Sequence, residues 1–287
     1  LAGCAHRPPP PPPPPPPIHY VLEPAWRAGD TWFYPHETLS LDATGIAAIL
    51  PQDHPSLTTD NEPYDPNAMA AAMQAVQLPA IATLTNLDNG RQLAVRINDR
   101  GPANPARLIA VTPRVAALLA FTDTARMRVQ FDPERCAALR RQVQGHAGDI
   151  AIDAAPRGDV QQADLAPLAG TAQETARSAA AGPTVAQAED APTVTVPLRL
   201  PEQLIQGEPD PGALIIHAGT FTHESAARHQ LAAISDPSAR LIRSRSGGQT
   251  GYDVQAGPYA DIAEADAALA RMLEDGVTDA RIAIDLQ

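Results

Sequence analysis

Hydrophobic and polar positions alternate most cleanly in "IATLTNLDNGRQLAVRIN" (Ile81 to Asn98), where two strand-like segments flank Asp88-Asn89-Gly90. These are the residues that a tight hairpin turn needs for positive φ. Upstream, "DPNAMAAAMQAVQLP" (Asp65 to Pro79) places Met69, Met73 and Val76 at i, i+4 and i+7. That spacing predicts a short helix, with Asp65 as N-cap, Pro66 in the first turn and Pro79 as its end. Downstream, "VTPRVAALLAF" predicts a second short helix capped by Thr112 and led by Pro113, before a strand "ARMRVQF". The region from 44 to 133 therefore reads as a small, mainly-β body.

The C-terminal quarter carries an internal repeat. "AGTFTHESAARHQLAAI" (Ala218 to Ile234) aligns with "AGPYADIAEADAALARM" (Ala256 to Met272), each a strand end followed by an amphipathic helix. With "ARLIRSRS" and "DARIAIDL" as further strands, residues 212–287 predict a four-stranded antiparallel sheet with both helices on one face. The other face is left open, giving an α+β domain of the ferredoxin-like or RNP-like kind.

Composition divides the chain. Thirty-one prolines with only 4% aromatic residues imply small folded units separated by unstructured chain. From 134 to 211 the sequence turns to Ala, Gln, Pro and Thr without sustained periodicity, which predicts a disordered linker, with a transient helix near "CAALRRQV". Residues 1–43 read as a spacer and an irregular lead-in. A formal charge of −12 argues against a nucleic-acid partner. No run of eighteen apolar residues offers a spanning helix.

Of the two cysteines, Cys136 has no His or second Cys at metal-binding spacing and reads as a free or buried thiol. Cys4 closes "LAGC", which matches a lipobox, the small-residue signal before a cysteine that receives a lipid. Pro8 to Pro17 then form a polyproline rod of about 31 Å, suited to holding a domain away from a membrane surface. With neither a metal cluster nor a nucleotide-binding loop in the sequence, no cofactor is expected.

"GALIIHAGTF" and "YDVQAGPYADIAEADAALARMLEDGVTDARIAI" resemble a SPOR domain. "TTDNEPYDPNAMAAA", "LPAIATLTNLDNGRQLAVRINDRGP" and "RLIAVTPRVAALL" resemble the double-psi β-barrel of the rare lipoprotein A family. Lipobox, proline spacer, barrel, linker and SPOR domain repeat that family's order. The resemblance implies a lytic transglycosylase that cuts glycan strands of peptidoglycan stripped of stem peptides, brought to the division septum by its SPOR domain. It also implies a lipid anchor on Cys4 in the periplasm of a Gram-negative bacterium. Ala5, where an Asp would retain the protein at the inner membrane, implies the outer membrane.

The family's catalytic Glu, His and Asp map onto Glu62 in "TDNEPYD", Met73, and Asp99 in "NDRGP". Period-two parity with Leu93, Val95 and Ile97 puts Asp99 on the core side of its strand, where partial desolvation favours a proton donor. Asp99 is thus expected as acid/base, with Glu62 assisting. Met73 can neither donate nor accept a catalytic proton and reads as core packing. Two smaller departures accompany it: Asp60-Asn61 replaces the glycine usual before the Glu, and Ala110 stands where an Asp is usual. His54 and His36 lie in loop sequence and read by default as solvated surface residues. Arg96 and Arg100 are candidate sugar contacts in the barrel; Phe221, Arg240, Arg243, Arg245, Tyr252 and Tyr259 are the candidates in the SPOR-like part. A catalytically silent glycan-binding module and a partner-docking lipoprotein stand as alternatives to the enzyme.

Overall fold

The computed structural model describes residues 18–146 and 196–286, apart from 23, 29, 30, 247 and 248. The lead-in is more regular than its sequence suggests. Strands β1 (Trp26–Ala28) and β2 (Thr31–Phe33) form a small antiparallel hairpin in which the Trp26 and Phe33 rings stack at 4.7 Å. The Trp26 indole N–H donates to the Gln74 carbonyl at 2.8 Å and ties this hairpin to the barrel.

The barrel comprises β3 (Asp42–Ile49), β4 (Ala70–Met73), β5 (Ala80–Asn86), β6 (Arg91–Asp99), β7 (Ile109–Val111) and, after helix α1 (Pro113–Leu119), β8 (Ala125–Phe131). The strands run in the order β4-β7-β3-β8-β5-β6, and β6 pairs back onto β4 to close the sheet. Two pairings are parallel, β3 with β7 and the closing β4 with β6; the others are antiparallel. The β5–β6 turn is as expected, with Gly90 at φ +77°. Thr112 caps α1 by accepting the Val115 N–H, also as expected.

Residues 65–79 do not form the predicted helix. Asp65 accepts the Asn67 N–H at 2.9 Å in a single turn, after which Ala70–Met73 extend as β4. β4 is buried on both sides, so its apolar residues run continuously rather than alternating. Met69, Met73 and Val76 all enter the barrel core, because pairing with both β6 and β7 outweighs the helix preference of Ala and Met.

Two ordered pieces fall inside the 134–211 stretch read as linker. Helix α2 (Pro133–His146) packs Cys136, Leu139 and Val143 into the barrel core, and β9 (Leu204–Gln206) pairs with the start of β6. Cys136 is a free buried thiol that donates to the Ile81 carbonyl at 3.3 Å; burial pushes its pKa up. The rest of that stretch, 147–195, lies outside the described residues, as do Cys4 and the proline run.

The C-terminal domain follows the sequence expectation. Strands β10 (Ala213–Phe221), β11 (Arg240–Ser246), β12 (Gln249–Tyr259) and β13 (Arg281–Asp285) form an antiparallel sheet in the order β11-β12-β10-β13. Helices α3 (Glu224–Ala233) and α4 (Ile262–Glu274) pack Ala227, Ala265, Leu269 and Met272 against Leu214, Ile216, Ala218, Val254 and Ala256. This domain is docked on the barrel. The Thr44 hydroxyl bridges the Ile284 carbonyl (2.8 Å) and N–H (2.9 Å), and Arg107 makes a bidentate pair with Asp266. Ile46 of β3 packs with the C-terminal domain's core rather than the barrel's.

Candidate active site

Strand β6 carries the site residues, and a bulge decides where they point. Ala71 pairs with Ile97, but the next residue, Ala72, pairs with Asp99, leaving Asn98 as the extra residue. Simple parity would have turned Asp99 into the core with Leu93, Val95 and Ile97. With the bulge, Asp99 instead lies beside Leu50, Tyr64 and Ala70 in a groove on the barrel wall, on the same side as Asn98.

Asp99 is nearly saturated with donors. Its Oδ1 accepts the Thr59 N–H (2.9 Å), the Thr59 hydroxyl (2.5 Å) and the Arg100 N–H (2.8 Å). Its Oδ2 lies 2.8 Å from Nε2 of His54. His54 is therefore not the solvated loop residue its sequence setting suggested; its ring is shielded and stacks on Tyr64 at 4.3 Å. Nδ1 of His54 faces the Pro55 carbonyl at 3.0 Å, so each ring nitrogen lies against an oxygen. His36 remains exposed, with its backbone bridged to Val76.

Glu62 is presented by a knotted turn. The Thr58 hydroxyl donates to Asp60 Oδ1 at 2.7 Å, and the Glu62 N–H points at Thr58 Oγ1 (3.0 Å) and Asp60 Oδ1 (3.2 Å). Asn61 adopts φ +69°, supplying the left-handed backbone that a glycine usually provides. Glu62 Oε2 is held by the Asn98 amide at 2.6 Å and by the Arg96 guanidinium. Oε1 carries no hydrogen bond among the described residues. Arg96 is buried, which pulls its pKa down, and Arg199 nearby adds to that. Asp60 is wholly buried, and burial raises its carboxyl to about 6 against the opposing pull of Thr58 and Arg96. The Arg100 side chain donates to the Val76 carbonyl, so neither arginine extends freely toward a sugar.

Beyond Glu62 the groove opens into a cavity of about 200 Å³ lined by Asn67, Met69, Arg96, Leu198, Arg199 and Glu202. Its outer wall is the returning chain ahead of β9. Val196 and Leu200 of that segment are buried in the barrel core, and Arg114 holds Glu202 in a bidentate pair at 2.9 and 2.5 Å.

The C-terminal candidates divide by sheet face. Register pairs Leu241 with Val254 and Arg243 with Tyr252, which places Arg243 and Tyr252 on the helix side. There Arg243 reaches Glu224 of α3 at 3.4 Å and lies 5.8 Å from the Tyr252 ring centroid. Phe221 packs against the core, Tyr259 is buried in it with its hydroxyl donating to Asp236, and Arg245 is exposed on the same side as Arg243. Arg240 pairs with Gln255 across β11 and β12 on the opposite, open face, where it donates to the Gly257 carbonyl at 2.5 Å. That face also presents a cluster that sequence reasoning missed: Thr220 donates to Asp253 at 2.5 Å, and His217 sits 3.1 Å from Thr220. Burial lowers the His217 pKa. The signal available in the sequence was period two along "ALIIH" and "YDVQAG", which puts His217 and Asp253 on the face away from Leu214, Ile216, Val254 and Ala256; the register shift between His217 and Thr220 that brings Thr220 to the same face was not legible.

Comparison with known proteins places both halves. The SPOR domain family model matches residues 210–280. The endolytic peptidoglycan transglycosylase RlpA of Pseudomonas aeruginosa is 34% identical over 152 residues, 52% of this chain and 42% of that protein. The Escherichia coli K12 protein of the same name is 34% identical over 104 residues, 36% of this chain and 29% of its own. Over these stretches the chain is similar to the rare lipoprotein A proteins, and its C-terminal part matches the SPOR domain family. A third relative of that name, from Rickettsia felis, is 28% identical over 118 residues, 40% of this chain and 52% of its own. The matches span between about a third and about a half of these relatives' length.

The closed six-stranded barrel fits the double-psi barrel of the rare lipoprotein A proteins. Where the family pattern has its histidine, Met73 is 4% exposed in the barrel core. Ala110 lies beside Ala72 and Leu50 beneath the groove. The imidazole that reaches Asp99 comes instead from His54, on a different segment. Among the described residues no His, Cys, Asp or Glu grouping could hold a metal ion, and no helix is long and apolar enough to cross a membrane.

Proposed function

We propose that this chain is an endolytic peptidoglycan transglycosylase acting on glycan strands without stem peptides, drawn to the septal wall by its SPOR domain and tethered to the outer membrane through a lipid on Cys4. The observation that carries the reading is that Glu62 and Asp99, from separate segments, line one groove of a barrel similar to that of transglycosylases, with His54 from a third segment paired to Asp99. The open sheet face with His217, Thr220 and Asp253 supports glycan binding by the second domain.

The geometry favours roles exchanged from the sequence expectation. Asp99 has both carboxylate oxygens engaged, whereas Glu62 keeps Oε1 open to the groove. Protonated Glu62 gives its proton to the glycosidic oxygen, the C1–O bond breaks, and the leaving sugar departs as an alcohol. The 6-hydroxyl of the remaining sugar attacks C1, and its proton returns to Glu62 as the 1,6-anhydro ring closes. No water is consumed. Arg96 and Asn98 fix the Glu62 carboxyl in place, and bound glycan excludes water from it. The Asp99–His54 pair adjoins it, with Thr59 and the Arg100 N–H holding Asp99 in place.

Peptide-free glycan strands incubated with the protein should yield 1,6-anhydro ends by mass spectrometry. Glu62→Gln should lower their rate by about 10²- to 10⁴-fold. Asp99→Asn and His54→Gln should each slow the reaction, with the double variant little worse than either alone, as expected of one unit. Strands bound but left uncut by the wild-type protein would end the enzymatic reading and leave glycan binding alone.

A further inference from the structure

We infer that Arg199, on the returning chain segment, reads the free lactyl carboxylate of a muramic acid residue whose stem peptide has been removed. This rests on the glycan reading above and assigns the peptide-free preference to a side chain of the barrel groove, separate from the SPOR domain.

The cavity next to Glu62 has two walls of different origin. The inner wall, with Glu62 and Arg96, belongs to the barrel; the outer wall, Leu198 to Glu202, arrives from the far side of the chain. The charges along it are mostly committed. Glu62 is matched by Arg96, and Glu202 is gripped by both nitrogens of Arg114. Arg199 is held less firmly, by a single 3.3 Å contact to Asp65, and 83% of its side chain is exposed. Asp65 does not depend on it, because its Oδ1 already accepts the Asn67 N–H. An incoming carboxylate can therefore take Arg199 without stranding a buried acid.

The chemistry of the substrate supplies such a group in one state only. In a strand carrying peptides, the lactyl carboxyl is tied up as an uncharged amide; once the peptide is gone it is an anion, one per muramic acid. A planar guanidinium binds that anion through two parallel N–H···O bonds, and it gains nothing comparable from an amide. In a chain of formal charge −12, which repels anions on average, an exposed arginine at the mouth of a sugar-sized cavity is a local exception that selects for them.

The test is calorimetric titration of the full chain with short glycan oligomers bearing either free lactyl carboxylates or the same carboxylates converted to methylamides. The SPOR domain contributes equally to wild type and variant, so their ratio isolates the barrel. Arg199→Ala should weaken binding of the carboxylate oligomer about fivefold and leave the methylamide oligomer unchanged; Arg199→Lys should recover part of the loss. Equal affinities for wild type and Arg199→Ala on the carboxylate oligomer, or an equal loss on both oligomers, overturns the assignment. Anhydro-end formation is scored on the same samples. Its absence alongside an Arg199-dependent preference would remove the transglycosylase reading and leave this one standing.

Discussion

Asp60 reaches no solvent, and its carboxyl is raised to about 6 chiefly by burial. Its ordinary value is 3.8, so between roughly pH 4 and pH 6 the folded chain holds a proton that the unfolded chain has released. The stability contributed by that proton is fully present below pH 4 and is lost as pH rises through 6. Asp60→Asn removes this dependence. Its urea midpoint relative to wild type should improve between pH 4 and pH 7.5, by up to about 3 kcal/mol in stability; a constant offset would show that Asp60 does not titrate in this range. The residues flanking Asp60 show what could be read in advance. Asn61 was visible as a departure from a glycine pattern, but that it keeps the left-handed backbone is a property of the folded turn. His54 sits eight positions before Glu62, yet its partner is Asp99, 45 positions away, and nothing local marks that pair.

Among the elements, the β5–β6 hairpin was legible because its turn chemistry is local. Gly90 is required there twice over. At φ +77° it suits only glycine comfortably, and a Cβ would lie 2.3 Å from the Gly207 carbonyl where the returning chain passes. Gly90→Ala should therefore loosen β9 together with the hairpin. The expected result is a loss of about 1–2 kcal/mol in chemical denaturation with faster proteolysis within 196–207; unchanged cleavage there would show that β9 holds independently of the turn. Strand β4 was not legible. Ala and Met at helical spacing are strong local evidence for a helix, and only the offer of two neighbouring strands reverses it. The bulge at Asn98 was hidden for a related reason: it exists in the register between β4 and β6, and a single strand has no register.

At the scale of the whole molecule, the two domains meet through β3 and β13. Ile46 is 0% exposed although it points away from the barrel core, because the C-terminal domain covers it. Replacing Ile46 with Arg puts a charge into that contact, and small-angle scattering should report a larger radius of gyration with the barrel still folded; an unchanged radius would place the hold elsewhere, in the Arg107–Asp266 and Thr44–Ile284 contacts. Sequence alone determined the repeat, the class of each domain and the hairpin, since each rests on periodicity or on residue types within a few positions; Glu62 and Asp99 were picked out through the family resemblance. Tertiary structure decided which side Asp99 faces, that His54 rather than the Met73 position supplies the imidazole, and that residues 196–202 return to wall the groove. Those outcomes depend on register, closure of the barrel and contacts between segments 45 to 134 positions apart, where burial and hydrogen bonding act on neighbours that the order of residues does not show.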